Sequence, residues 1–167
     1  MELQIAEVLG QFTDLRRVPP EDAILDPTLW PVYGQDSATL RAVLVGEQRT
    51  NLGGRHPVLV AVPAGAPTAE SRVYALEYRP GYTHDGTGRY RVARPVRHLW
   101  KRGSLCTHAQ HDRWDGRLVT LMVWAAEWLF RPDYWQRHGV WVGAEIGRGG
   151  ERRVNALHGA SRHRRGR

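Results

Sequence analysis

The sequence predicts an α+β domain: an antiparallel four-stranded meander with one central, buried helix packed on a face of the sheet. Three observations lead there. Four short stretches rich in valine, leucine and tyrosine follow one another, separated by glycine, proline and polar clusters. The most apolar run, residues 117–130, comes after them and carries helical spacing. Between the two lies the only cysteine, Cys106, in a loop with Gly103 and Ser104 before it and His108, His111, Asp112 and Asp115 after it.

Residues 1–9 place Leu3, Ile5, Val8 and Leu9 at mixed spacing, which fits a short amphipathic helix that Gly10 stops, or an edge strand. Residues 12–40 contain Pro19, Pro20, Pro27 and Pro31 and read as irregular connection. At most one helical turn fits there, near residues 21–25, with Trp30 and Tyr33 as anchors. The four extended segments are 39–46, 57–63, 72–78 and 90–100, and the short intervals between them predict antiparallel neighbours. Within 72–78, Val73, Ala75 and Glu77 alternate with Tyr74, Leu76 and Tyr78. Pro95 makes the fourth segment an edge or a broken strand. Gly53 and Gly54 form a turn, since no lysine and helix follow to make a phosphate loop.

Beyond Cys106, Asp115 is placed to cap the helix, and Leu118, Leu121, Met122, Ala125 and Leu129 recur on one face. Val119, Val123, Ala126 and Phe130 make the other face apolar too, which predicts cover on both sides. Pro132 is expected to end the helix, with one more turn at 133–138 stopped by Gly139. Residues 140–142 read as a short strand or coil.

The chain of 167 residues is one domain in size, with 41% apolar and 25% charged residues. We expect an ordered domain over 1–146 and a basic, disordered tail over 147–167. The net charge of +7 is concentrated there: Arg148, Arg152, Arg153, Arg162, Arg164, Arg165 and Arg167 face a single acid, Glu151. A solvated tail is the plainer reading, and a nucleic-acid-binding module with an incidental cysteine is the rival to any enzymatic function. The two differ in salt dependence, because arginine–phosphate binding weakens steeply with ionic strength. One thiol cannot form an internal disulfide, and no apolar run reaches the length of a membrane span, so a cytoplasmic location is expected.

A cysteine attacks as thiolate, and an unperturbed thiol with a pKa of about 8.5 is only a few per cent ionised at neutral pH. Three sources of activation stand near Cys106 in sequence: the charges of Lys101 and Arg102, the start of the following helix, and His98, His108 and His111. The plain alternative is a small buried hydrophobe. Cys106, His108 and His111 with His98 or His138 also permit a zinc site, although no C-x-x-C pair supports one. A cysteine hydrolase is a further reading, with His138 and Asp112 or Asp133 as partners. The tryptophans at helical spacing are core before they are a base-stacking platform. His56, His158 and His163 receive no role.

His98, Gly103, Leu105, Cys106, Trp114, Glu127, Trp128, Leu129, Trp135, Gly139 and Trp141 together resemble a known pattern. It is that of the prokaryotic E2-like (ubiquitin-conjugating-enzyme-like, UBC) family found in bacterial CBASS antiphage and related ubiquitin-like conjugation operons. The resemblance covers about a quarter of the chain. It implies an E2-like fold and a Cys106 that carries a protein C-terminus as a thioester and transfers it to an acceptor. The implied donors are a cGAS-like nucleotidyltransferase or a ubiquitin-like protein, loaded with or without an E1-like adenylating enzyme. No cofactor, metal or membrane is implied. His98 stands roughly where the family carries His-Pro-Asn, but Leu99 and Trp100 follow it, so the asparagine oxyanion donor is missing. Backbone amides, His108 or His111 are the substitutes the sequence offers.

Overall fold

A computed structural model describes residues 1–65, 70–78, 99, 103–107, 114–139 and 142. The predicted strand at 90–100, apart from Leu99, lies outside the described residues, as do Trp141 and the 147–167 tail. The described elements, in order, are α1 (Glu2–Gln11), β1 (Leu15–Val18), α2 (Pro20–Ala23), β2 (Leu40–Arg49), β3 (Arg55–Pro63), β4 (Arg72–Ala75) and α3 (Leu118–His138). Two 3₁₀ turns, Ser37–Thr39 and Leu76–Tyr78, enter β2 and leave β4.

The four strands form one antiparallel sheet in chain order, β1-β2-β3-β4. The expected segments 39–46, 57–63 and 72–78 pair in chain order, but the first member of the sheet is Leu15–Val18, a segment that reads from sequence as connection. Its two ends point to opposite faces: Leu15 joins the core under the helices and Val18 the core on the other side. Between them Arg16 and Arg17 are exposed, so no alternating pattern marks this strand.

Strand alternation sorts the interior into two layers. Ala42, Leu44, Val58, Val60, Val62, Val73 and Ala75 meet α1 and α3 on one face. Val43, Val45, Leu59 and Tyr74 meet Ala23, Leu29 and Val32 of the proline-rich segment on the other. That segment therefore covers a whole sheet face, with α2 as the single helical turn expected. The stretch 72–78 is strand only to Ala75; the following turn brings Tyr78 to the helix side, where it meets Trp128 edge-on at 5.8 Å.

Three expectations for the long helix are corrected. Pro132 does not end it: α3 runs on to His138, and Gly139 closes it in the left-handed conformation at φ 68°. The ring removes one N–H that would bond Trp128, but Leu129 and Pro132 are buried, so packing outweighs the lost bond. The helix is not covered all round, since Val123 is 46% exposed. Asp115 is not the capping residue itself. It stands two residues before Arg117 at the N-cap, accepting from Arg117 N–H at 2.9 Å and the Thr120 hydroxyl at 2.8 Å. Those bonds hold its carboxyl below the usual range. Leu118 N–H is instead satisfied by Gln4 Oε1 of α1 at 3.0 Å, which ties the two helices at their start.

Candidate functional site

The residues before Cys106 are fixed by backbone and packing. Leu105 N–H donates to Val73 C=O of β4 at 2.8 Å, and Leu105 forms an antiparallel bridge with Leu99. The Leu105 side chain is 1% exposed in the core beneath α3. Gly103 has φ +80°, and a Cβ there would come within 2.7 Å of the Trp30 ring. Only glycine fits that corner without displacing the indole. Trp30 in turn stands edge-on to Tyr74 at 5.8 Å. The Gly-Ser-Leu run thus carries Cys106 out along the β4 edge and leaves it half-buried.

Burial pushes the Cys106 thiol up from its ordinary pKa, and the guanidinium of Arg131 pulls partly the other way. Arg131 lies thirteen residues after Leu118, or about 20 Å along a helix rising 1.5 Å per residue. The one charge that acts on the thiol among the described residues thus comes from the second half of α3, and burial outweighs it. The other expected contributors, Lys101, Arg102, His98, His108 and His111, lie outside the described residues, as does Asp112. Among the described residues no group of three or more His, Cys, Asp or Glu side chains is arranged to hold a metal. His138, considered as a base or ligand, stacks on Tyr134 at the exposed end of α3, with ring centroids 4.3 Å apart.

A second polar cluster lies beneath α3, built on a histidine to which the sequence assigns no role. β3 presents His56, Val58, Val60 and Val62 to the helix side. From above, α3 presents Ala125 and Leu129, then Asp133 one turn later. At that end the sheet face turns polar, with Gln48, Thr50 and His56 all buried.

His56 Nδ1 is 2.5 Å from Glu77 Oε1, and Nε2 is 3.1 Å from Asp133 Oδ1. The Thr50 hydroxyl donates to Asp133 Oδ2 at 2.5 Å and accepts from Gly54 N–H at 3.1 Å. A Cβ on Gly54 would stand 1.9 Å from Asp133 Oδ2, so the absence of a side chain there admits the carboxylate. Burial works against a charged His56, but the bonds and charges of Glu77 and Asp133 together outweigh it, and the imidazole pKa is raised. With carboxylates facing both ring nitrogens, the imidazolium is the form that donates to each. Of the two carboxylates the hydrolase reading offers to orient His138, Asp133 is engaged by His56 and Thr50, and Asp112 lies outside the described residues. The legible signal is a histidine in phase with three buried valines, a position that requires polar partners.

Compared with protein-family models, with curated proteins and with solved structures, the chain matches none of them.

Proposed function

We propose that this chain is an E2-like acyl-transfer protein that carries the C-terminus of another protein as a thioester on Cys106 and passes it to an acceptor. The observation that carries the reading is the placement of Cys106. It directly follows Leu105, whose N–H is bonded to β4, and so sits at the end of a four-strand meander and before the helix that crosses it. A helix, four antiparallel strands in order, a cysteine segment and a covering helix is the order expected of a UBC-type fold.

The chemistry asks one thing of Cys106. Its thiolate attacks the activated carbonyl of the incoming C-terminus; a C–S bond forms, and AMP leaves from an acyl-adenylate or a thiolate from a donor thioester. The acceptor nucleophile then attacks the thioester carbonyl and the thiolate departs, its proton restored from a nearby base. A thiol whose pKa burial has raised is mostly protonated at rest, which protects it from oxidation and makes a base necessary at the moment of attack. His98, His108 and His111 are the groups we assign to deprotonation and oxyanion support. The donor is a cGAS-like nucleotidyltransferase or a ubiquitin-like protein, with an E1-like enzyme supplying the adenylate, in bacterial antiphage defence.

The test is intact-mass spectrometry of the full chain co-expressed with the proteins encoded beside it. A thiol-labile protein adduct on Cys106 is expected. Its absence with those neighbours expressed and folded overturns the reading.

A further inference from the structure

His56 bonds to carboxylates on two elements that hold the residue before Cys106. Glu77 belongs to the 3₁₀ turn that leaves β4, the strand whose Val73 carbonyl holds Leu105. Asp133 belongs to the second half of α3, the helix whose buried face shares a core with Leu105. We propose that His56 is a positioning residue for Cys106: as imidazolium it fastens the β4 turn to the second half of α3, and on losing its proton it releases them, opening the surroundings of the thiol.

The charge arrangement explains why the clamp has two states. The imidazolium donates from both nitrogens, to Glu77 and to Asp133. Neutral imidazole has one donor, so one carboxylate faces a lone pair and the positive charge between the two buried acids is gone. The groups that neighbouring elements bring to this end of the sheet do not replace it. At the end of β2 and just beyond it these are Gln48 and Thr50, both uncharged, with the Thr50 hydroxyl donating to Asp133. Arg55 beside His56 is paired to Glu47 at 2.6 Å, and Arg137 on α3 donates to Leu52 C=O at 2.5 Å. The C-terminal turns of α3 carry exposed Gln136, Arg137 and His138 and are the part least held by apolar burial.

The inference rests on Cys106 as the reactive group, but its test needs no partner protein, so its failure and the failure of thioester carriage are distinguishable. The full chain is alkylated with iodoacetamide across about pH 5.5 to 10, and modification of Cys106 is followed by mass. In the wild type the rate per thiolate is expected to rise about threefold or more through the titration of His56, giving a second inflection beside that of the thiol. In His56→Gln, which has no titrating imidazole, the second inflection is lost; in Asp133→Asn, which keeps the side-chain shape, it is reduced or lost. A purely structural His56 would lower the melting temperature and leave the profile unchanged. A single inflection in the wild type, or a second one that persists in His56→Gln, overturns the proposal, the latter assigning the step to another histidine. Should neither variant fold, amide hydrogen exchange at residues 129–138 of the wild type decides. An opening equilibrium that grows with pH supports the clamp, and one independent of pH overturns it.

Discussion

His56 reaches Glu77 with one ring nitrogen, at 2.5 Å, and Asp133 with the other, at 3.1 Å, so one buried side chain joins β3, the turn after β4 and α3. These elements are distant in sequence, and their apolar contacts alone leave that end of the sheet polar. The cluster is what closes it.

Removing the central member should be costly. His56→Ala leaves the largely buried Glu77 and Asp133 carboxylates without the cation between them, a change expected to cost about 3–5 kcal/mol in urea unfolding. Replacing His56, Glu77 and Asp133 together by apolar residues of similar size should cost less than that single change. A triple variant as unstable as His56→Ala would contradict the account.

Stability should also depend on pH in a definite direction. The folded pKa of His56 is raised, so its contribution is complete below the unfolded value of about 6.5 and is lost as pH climbs through the folded value. Urea midpoints should therefore fall from about pH 6 upward through that titration, and His56→Gln should flatten this part of the curve. Asp115 runs oppositely: its lowered pKa makes its contribution present above the unfolded carboxylate value and lost on acidification, as Asp115→Ala would reveal at low pH.

Two glycines are required for space. Gly54→Ala drives a methyl into the Asp133 carboxylate, and Gly103→Ala drives one into the Trp30 ring while also straining a backbone at φ +80°. Each should cost about 1–3 kcal/mol by thermal or urea unfolding. Gly10→Ala, with open space around its Cβ and a place in α1, should be neutral or slightly stabilising.

The two sides of α3 should respond differently. Leu129, fully buried against the sheet, should lose about 2–5 kcal/mol on replacement by alanine. Val123, nearly half exposed, should stay within about 0.5 kcal/mol of wild type on the same change. Equal losses at both positions would mean that the outer face is covered as well.

Much of the fold is legible because β2 and β3 carry continuous apolar runs, residues 42–45 and 58–60, buried on both faces of the sheet, and α3 repeats at helical steps. β1 was not legible, since two exposed arginines separate two inward residues that face different layers. The end of α3 was misplaced because Pro132 is a local signal, while the burial that carries the helix past it is tertiary. Of the candidate site, the position of Cys106 after the meander followed from sequence order. The effect of Arg131 on the thiol did not, because it depends on how the second half of α3 lies over the sheet. The His56 cluster is equally non-local: Glu77 and Asp133 stand twenty-one and seventy-seven positions away.

The central claim is that Cys106 carries an acyl group, and the most direct measurement replaces the thiol by a hydroxyl. Cys106→Ser, purified after co-expression with the neighbouring proteins, should convert the adduct into an ester that survives thiol and yields to hydroxylamine, with its mass naming the donor. Cys106→Ala should carry none. An adduct that persists in the alanine variant, or none on the wild type and the serine variant alike, would contradict the account and leave Cys106 as an ordinary thiol at the edge of the core.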